Sequence, residues 1–195
     1  MKMKAICLFC GSNKGAKPEY EAAARDFGRT LAEQGVTLVY GAGKVGLMGV
    51  AADSALAAGG KVVGVIPEFL KAKEVAHTGL TEIHVTETMH QRKALMAELS
   101  DGFIALPGGF GTFDELFEIL TWGQLSLHGK PVGLLDAAGY YQPLHRMMEH
   151  AVAEGFARPG NMDLFRISED LPTLLTEMRA YRPQEVAKWL DLAKA

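Results

Sequence analysis

Short apolar runs alternate with longer amphipathic stretches along almost the whole chain. KAICLFC (4–10) is a run of apolar and aromatic residues ended by Gly11-Ser12, and it predicts a strand. From Pro18 to Gln34 the apolar positions Tyr20, Ala23, Ala24, Phe27 and Leu31 recur at three- and four-residue steps, the signature of a helix that Gly35 stops. VTLVY (36–40) reads as a buried strand, 41–46 as a glycine-rich turn, and Leu47–Ala58 as a helix of small residues. Strands follow at 61–67, 81–87, 102–107, 131–136 and 165–168. Helices follow at Met89–Leu99, Phe113–Leu125, Tyr140–Glu154, Leu171–Met178 and Gln184–Ala193. The polar stretch 69–80, with Lys71, Lys73, Glu74 and His77, reads as a loop. Strands separated by helices predict a parallel sheet with helices on both faces, a doubly wound, Rossmann-like α/β fold. We expect one domain over residues 1–195, without linker or repeat.

Composition changes this picture little. Twenty Lys+Arg against 23 Asp+Glu give a net charge of −3, which argues against a protein built to coat nucleic acid or an anionic membrane. No apolar run approaches the ~18 residues needed to span a bilayer, and the N-terminus reads directly into a strand. The chain is therefore expected in the cytoplasm. Two cysteines, Cys7 and Cys10, cannot build a disulfide framework, and no second pair or H-E-x-x-H spacing completes a metal cage. Core packing is the favoured role for both, and neither metal nor cofactor is expected.

In a doubly wound sheet, ligands bind beyond the carboxyl ends of the strands. Two glycine-rich turns lie at that edge. Gly41-Ala42-Gly43-Lys44-Val45-Gly46 fits G-x-G-x-x-G between a strand and a helix. Two readings stand: contact with a nucleotide phosphate or ribose, and a tight turn without ligand. A full NAD site is disfavoured, because the acidic residue expected after the next strand is met only by Glu68 behind Pro67. The second turn, Pro107-Gly108-Gly109-Phe110-Gly111-Thr112-Phe113-Asp114-Glu115, carries three glycines that free the backbone to fold as an anion nest. Thr112 and Glu115 have the T-x-x-E spacing of a capping box, so Glu115 caps the following helix, presents a carboxylate to a sugar, or does both. Met89-His90-Gln91-Arg92-Lys93 opens the preceding helix at the same edge, and an arginine there can grip phosphate through its planar fork. The face Ala51, Ala52, Ala55 and Ala58, with Trp122, Leu125 and Leu127, suits either helix packing or a dimer seam.

The pairing of MHQRK (89–93) with PGGFGTFDE (107–115) resembles the Lonely Guy (LOG) family, and GAGKVGLMG (41–49) and CGS (10–12) resemble its other glycine segments. The resemblance runs in order over roughly residues 4–180, with Ala42 where the family often has a glycine. It implies a phosphoribohydrolase that cleaves the N-glycosidic bond of cytokinin riboside 5′-monophosphates and AMP, releasing the base and ribose 5-phosphate. It implies that Arg92 and Glu115 are the catalytic pair. Nucleotide contacts then fall on Glu74, Arg92, Lys93, Gly109, Phe110, Gly111, Thr112, Phe113, Asp114, Glu115 and Thr121, with Gly41, Gly43 and Met89 as further candidates. Such proteins are commonly homodimers with sites near the subunit boundary. Many carry a lysine decarboxylase label, yet Lys44 and Lys93 lack a recognisable pyridoxal context. The rival reading is a non-catalytic nucleotide or molybdenum-cofactor binding protein of the same fold, which would not need the Arg92–Glu115 pair.

Overall fold

The computed structural model describes residues 3–71 and 76–183. Seven strands, β1 (Ala5–Phe9), β2 (Thr37–Tyr40), β3 (Val62–Pro67), β4 (Glu82–Thr86), β5 (Gly102–Ala105), β6 (Val132–Leu135) and β7 (Phe165–Ser168), form one sheet in the order β4-β3-β2-β1-β5-β6-β7. Every neighbouring pair is parallel. The connecting helices are α1 (Pro18–Glu33), α2 (Gly46–Ala57), α3 (Glu68–Lys71), α4 (Met89–Glu98), α5 (Phe110–Gln124), α6 (Gln142–Ala153) and α7 (Leu171–Ala180). The expected Rossmann-like architecture is therefore present, and no helix among the described residues is long and apolar enough to cross a membrane. The expected helix at 184–193 lies outside the described residues.

The central strand shows why its sequence is apolar throughout. Ile6, Leu8 and Cys10 join a core with α1, α2 and α7, whereas Cys7 and Phe9 join a second core with α4 and α5. Successive side chains of a strand point to opposite faces, and both faces are covered here. Both cysteines are free thiols in these cores, as expected. The alanine face also resolves to packing: Ala51, Ala52 and Ala55 are buried in the core that α1 and α2 share. Ala58 is exposed at the end of α2.

Chain direction away from β1 reverses once, between β1 and β5, because β2–β4 build one half of the sheet and β5–β7 the other. Loops leaving adjacent strands to opposite sides open a crevice there. Most boundaries shift by one or two residues, and two differences bear on the site. Residues 68–71 form a helical turn rather than loop. Helix α5 begins at Phe110 instead of Phe113, because Gly109 is its N-cap.

Helix α1 approaches α2 closely only because residue 28 has no side chain: a Cβ there would lie 2.1 Å from the backbone oxygen of Ala51. Gly28→Ala is expected to lower the unfolding free energy by about 1–3 kcal/mol in urea titrations, the usual cost of overpacking a rigid contact.

Candidate active site

Helix α4 starts with a capping box. Gln91 N–H donates to the Thr88 hydroxyl at 3.2 Å, and Gln91 Oε1 accepts from the Thr88 amide at 3.2 Å. This fixes the first turn, and the next residue, Arg92, points inward with 6% of its surface exposed. Its Nε donates to the Val65 carbonyl of β3 at 3.1 Å, and Nη2 donates to the Gly41 carbonyl after β2 at 3.3 Å. Nη1 lies 3.8 Å from Met89 Sδ. The first glycine turn makes room for this group: a Cβ on residue 41 would sit 1.9 Å from Nη2. Gly41 and Gly43 are buried, and neither is among the residues lining the cleft described below. Ala42 holds a left-handed backbone (φ 61°), and its carbonyl accepts the His77 amide at 2.9 Å.

Glu115 faces Arg92 from α5. Nη1 and Oε1 are 3.9 Å apart, with side-chain exposures of 7% and 13%. That distance exceeds hydrogen-bond reach, so the two charges oppose one another across a gap rather than in a bidentate fork. Glu115 cannot serve as the capping-box glutamate. With Gly109 as N-cap it lies in the second helical turn, and no side chain caps this helix. Thr112 is buried inside the first turn, its hydroxyl where a Cβ on Gly108 would meet it at 2.1 Å. The T-x-x-E reading fails because the helix starts three residues earlier than the pattern assumed.

Around this pair is a cleft of about 180 Å³ lined by Cys10–Ser12, Met48, Arg92, Gly109–Thr112 and Glu115. Gly11 ties its two rims together: its amide donates to the Pro107 carbonyl, and its carbonyl accepts from Leu47, each at 3.0 Å. Gly109 and Gly111 have negative or extended backbone and open space where a Cβ would stand. Protein packing therefore does not require glycine at either position. The space faces the first turn of a 15-residue helix, whose leading N–H groups favour an anion. Burial pushes the Cys10 thiol well above the ordinary range, and the Glu115 charge adds to it, so this thiol is no nucleophile.

The remaining expected residues divide. Lys93 turns away from the gap to Asp114 (3.2 Å) and Glu118 (3.0 Å). Burial alone would lower its pKa, but the two carboxylates outweigh this and hold it above the usual lysine value. Phe110 is 94% exposed and borders both the cleft and a shallow concavity on the outside of α5. That concavity, not the cleft, holds Phe113, Asp114 and Thr121, and the Thr121 hydroxyl donates to the Phe117 carbonyl at 2.7 Å. Glu74 lies outside the described residues. Cys10, Gly11, Ser12 and Met48 were absent from the expected site, although CGS and the 41–49 segment carried the signal.

With this geometry in hand, comparison with known proteins is decisive about family. A cytokinin riboside 5′-monophosphate phosphoribohydrolase from Rhodococcoides fascians is 49% identical over 178 residues, covering 91% of this chain and 90% of that one. Another, from Arabidopsis thaliana, is 44% identical over 183 residues, covering 94% and 84%. The chain belongs to the Lonely Guy family. Residues 48–178 of this Lonely Guy protein also match the family model described as "Possible lysine decarboxylase". Its fold resembles a molybdenum cofactor carrier protein from Chlamydomonas reinhardtii, with a TM-score of 0.68 at 20% identity over 92% of this chain and 97% of that one. A molybdenum cofactor binding protein from Rippkaea orientalis gives 0.63 at 22% identity, covering 92% and 99%. At such identities the likeness concerns the fold alone.

Two glycine substitutions separate the roles of the two turns. Gly41→Ala is expected to displace the Arg92 guanidinium and reduce nucleotide affinity and turnover together. Gly111→Ala is expected to keep or slightly raise the melting temperature, since alanine favours helix by up to ~1 kcal/mol, while weakening nucleotide binding at least tenfold. Thermal unfolding and calorimetric titration with AMP measure both.

Proposed function

We propose that this Lonely Guy protein hydrolyses the N-glycosidic bond of adenosine 5′-monophosphate and its N6-modified relatives, cytokinin riboside 5′-monophosphates among them. The products are the free base and ribose 5-phosphate. The observation that carries this reading is the convergence of two opposite charges, the buried Arg92 and the partly buried Glu115, on one cleft beside an open helix N-terminus.

In the proposed arrangement the 5′-phosphate rests on the backbone of Gly109–Thr112. Glu115, one helical turn further, then faces the ribose. Breaking the bond between C1′ and the base nitrogen builds positive charge on the sugar ring. A carboxylate ~4 Å from that charge is worth ~4 kcal/mol at an effective dielectric of ~20, close to a thousandfold in rate. The same carboxylate can take a proton from the attacking water as its oxygen bonds to C1′, while the departing base gains one proton. Base assistance of this kind contributes roughly 10²–10⁴-fold. Arg92, held on two carbonyls, is pre-set to grip phosphate or ribose oxygens. Decarboxylation finds less support: Lys44 is exposed, and Lys93 is held protonated by two carboxylates, the reverse of an amine ready to form a Schiff base.

We also propose that two copies pair over the outer face of α5. Phe110, Phe117 (37%) and Phe156 (90%) are exposed there, and an apolar groove of about 470 Å³ runs between α5 and α6. Exposed patches of this kind mark interaction surfaces. Pairing explains why Thr121 is separated from the cleft of its own subunit: it would serve the cleft next door.

Glu115→Gln should abolish adenine release from AMP, by at least 10³-fold, with the dissociation constant for AMP within about threefold. Arg92→Ala should raise KM and lower kcat together. Adenine chromatography and calorimetry decide; full activity in Glu115→Gln removes the carboxylate from the mechanism. Sedimentation velocity should give twice the monomer mass, and Phe117→Asp should give monomers with reduced activity.

A further inference from the structure

We propose that Tyr140 is a positioning residue for the anion-binding end of the cleft, its hydroxyl setting which way the Gly108–Gly109 peptide faces. The inference rests on the hydrolase reading above and extends it to a residue that does not line the cleft.

Tyr140 lies in the loop between β6 and α6, far in sequence from the glycine turn. Asp136, 1% exposed, anchors that loop by accepting from the Tyr141 amide at 2.6 Å and from Gln142 Nε2 at 2.5 Å. Three rings then hold the Tyr140 ring. It stacks on Phe113 with centroids 6.5 Å apart and meets Tyr20 (5.7 Å) and Tyr141 (5.1 Å) edge-on. Its hydroxyl donates to the Gly108 carbonyl.

In a trans peptide the C=O and the following N–H point in opposite directions. A Gly108 carbonyl bound to Tyr140 therefore sends the Gly109 N–H to the other side. Gly109 borders both the cavity of about 280 Å³ that contains Tyr140 and the cleft that contains Arg92 and Glu115. In the proposed arrangement the donor is aimed from the tyrosine side towards the cleft. A peptide between two glycines has no side chain of its own to restrict its rotation, so the tyrosine hydroxyl adds a hold to the packing of Gly108 against Thr112. The hydroxyl also polarises that peptide, making its N–H a better donor to an anion.

Tyr141 supplies a built-in comparison. Its hydroxyl donates to the Leu106 carbonyl at 2.7 Å, in the same turn. The next residue is Pro107, which has no N–H to aim. Tyr141 can fix the end of the strand but cannot orient a donor.

The test compares Tyr140→Phe and Tyr141→Phe with the wild-type protein. AMP hydrolysis gives kcat and KM, calorimetry gives ribose 5-phosphate affinity, and adenosine is measured as an inhibitor. Tyr140→Phe should raise the AMP KM and weaken ribose 5-phosphate about five- to tenfold, the loss of one positioned hydrogen bond. It should leave kcat within about twofold and adenosine inhibition unchanged. Tyr141→Phe should lower the melting temperature and leave the AMP KM unchanged. An unchanged KM in Tyr140→Phe overturns the proposal. So does an equal loss for adenosine, which signals general damage, or an equal KM rise in Tyr141→Phe. If the wild-type protein neither binds nor cleaves AMP, the hydrolase reading itself fails and this inference falls with it, a result visible before any variant is made.

Discussion

The burial of the Arg92 guanidinium is the constraint on which the rest of the site depends. Removing such a charge from water costs several kcal/mol unless hydrogen bonds and an opposite charge replace the solvent. Here the carbonyls of Val65 and Gly41 take two of its N–H groups, and Glu115 opposes it at 3.9 Å. One side chain thereby ties the ends of β2 and β3 to α4 and α5. The backbone carbonyls fix where the guanidinium lies, and they place it beside Glu115 on the wall of one cleft. A closed bidentate pair would be more stable and chemically idle.

That constraint explains why two similar glycine turns do different work. In the first, glycine at 41 is required by the protein itself, because the arginine occupies the space of a Cβ. In the second, Gly108 is required by Thr112, but Gly109 and Gly111 stand against open space. A glycine that neither backbone angle nor neighbour demands leaves room for a ligand to approach the main chain. Gly11, bonded to both turns, holds the seat of the arginine and the ligand-facing backbone at a fixed separation. The cleft is thus built from backbone geometry at the point where strand order reverses, with its two charges supplied by helices from the second face of the sheet.

Much of this was legible in the sequence, and the failures have specific causes. All seven strands fall where the sequence pattern predicts them: the inner ones as apolar runs, since a doubly covered parallel sheet admits few polar residues, and β4 at the edge by the alternation of TEIHVTE. Arg92 and Glu115 were found through their motifs, and the structure brings them together. The start of α5 was misread because T-x-x-E is a local pattern, whereas Gly109 became the cap once the strand end and Gly11 fixed the turn. The true capping box, Thr88 with Gln91, was present in the sequence but overshadowed by the charged residues beside it. The occupant of the space at Gly41 was not legible, because it comes from 51 residues away. Tyr140 was equally hidden, since nothing in a Tyr-Tyr pair indicates that one hydroxyl reaches a peptide 32 residues earlier.

The likeness to molybdenum cofactor carriers shows how little a sheet order decides. At 20% identity the likeness between those proteins and this chain is one of scaffold. A crevice of backbone amides can hold any phosphate-bearing molecule, so affinity alone is within reach of the scaffold. Turning retention into bond cleavage needs charge placed where the transition state develops it, at the sugar rather than at the phosphate. Glu115 stands one helical turn beyond the amides of the α5 N-terminus, and in the proposed arrangement that step carries it from the 5′-phosphate to the ribose ring. On the reading proposed for this chain, cleavage therefore depends on the register of a carboxylate along one helix. In the proposed arrangement a carboxylate at residue 112 would repel the phosphate and one at 119 would be buried in the core, whereas one at 115 faces the sugar.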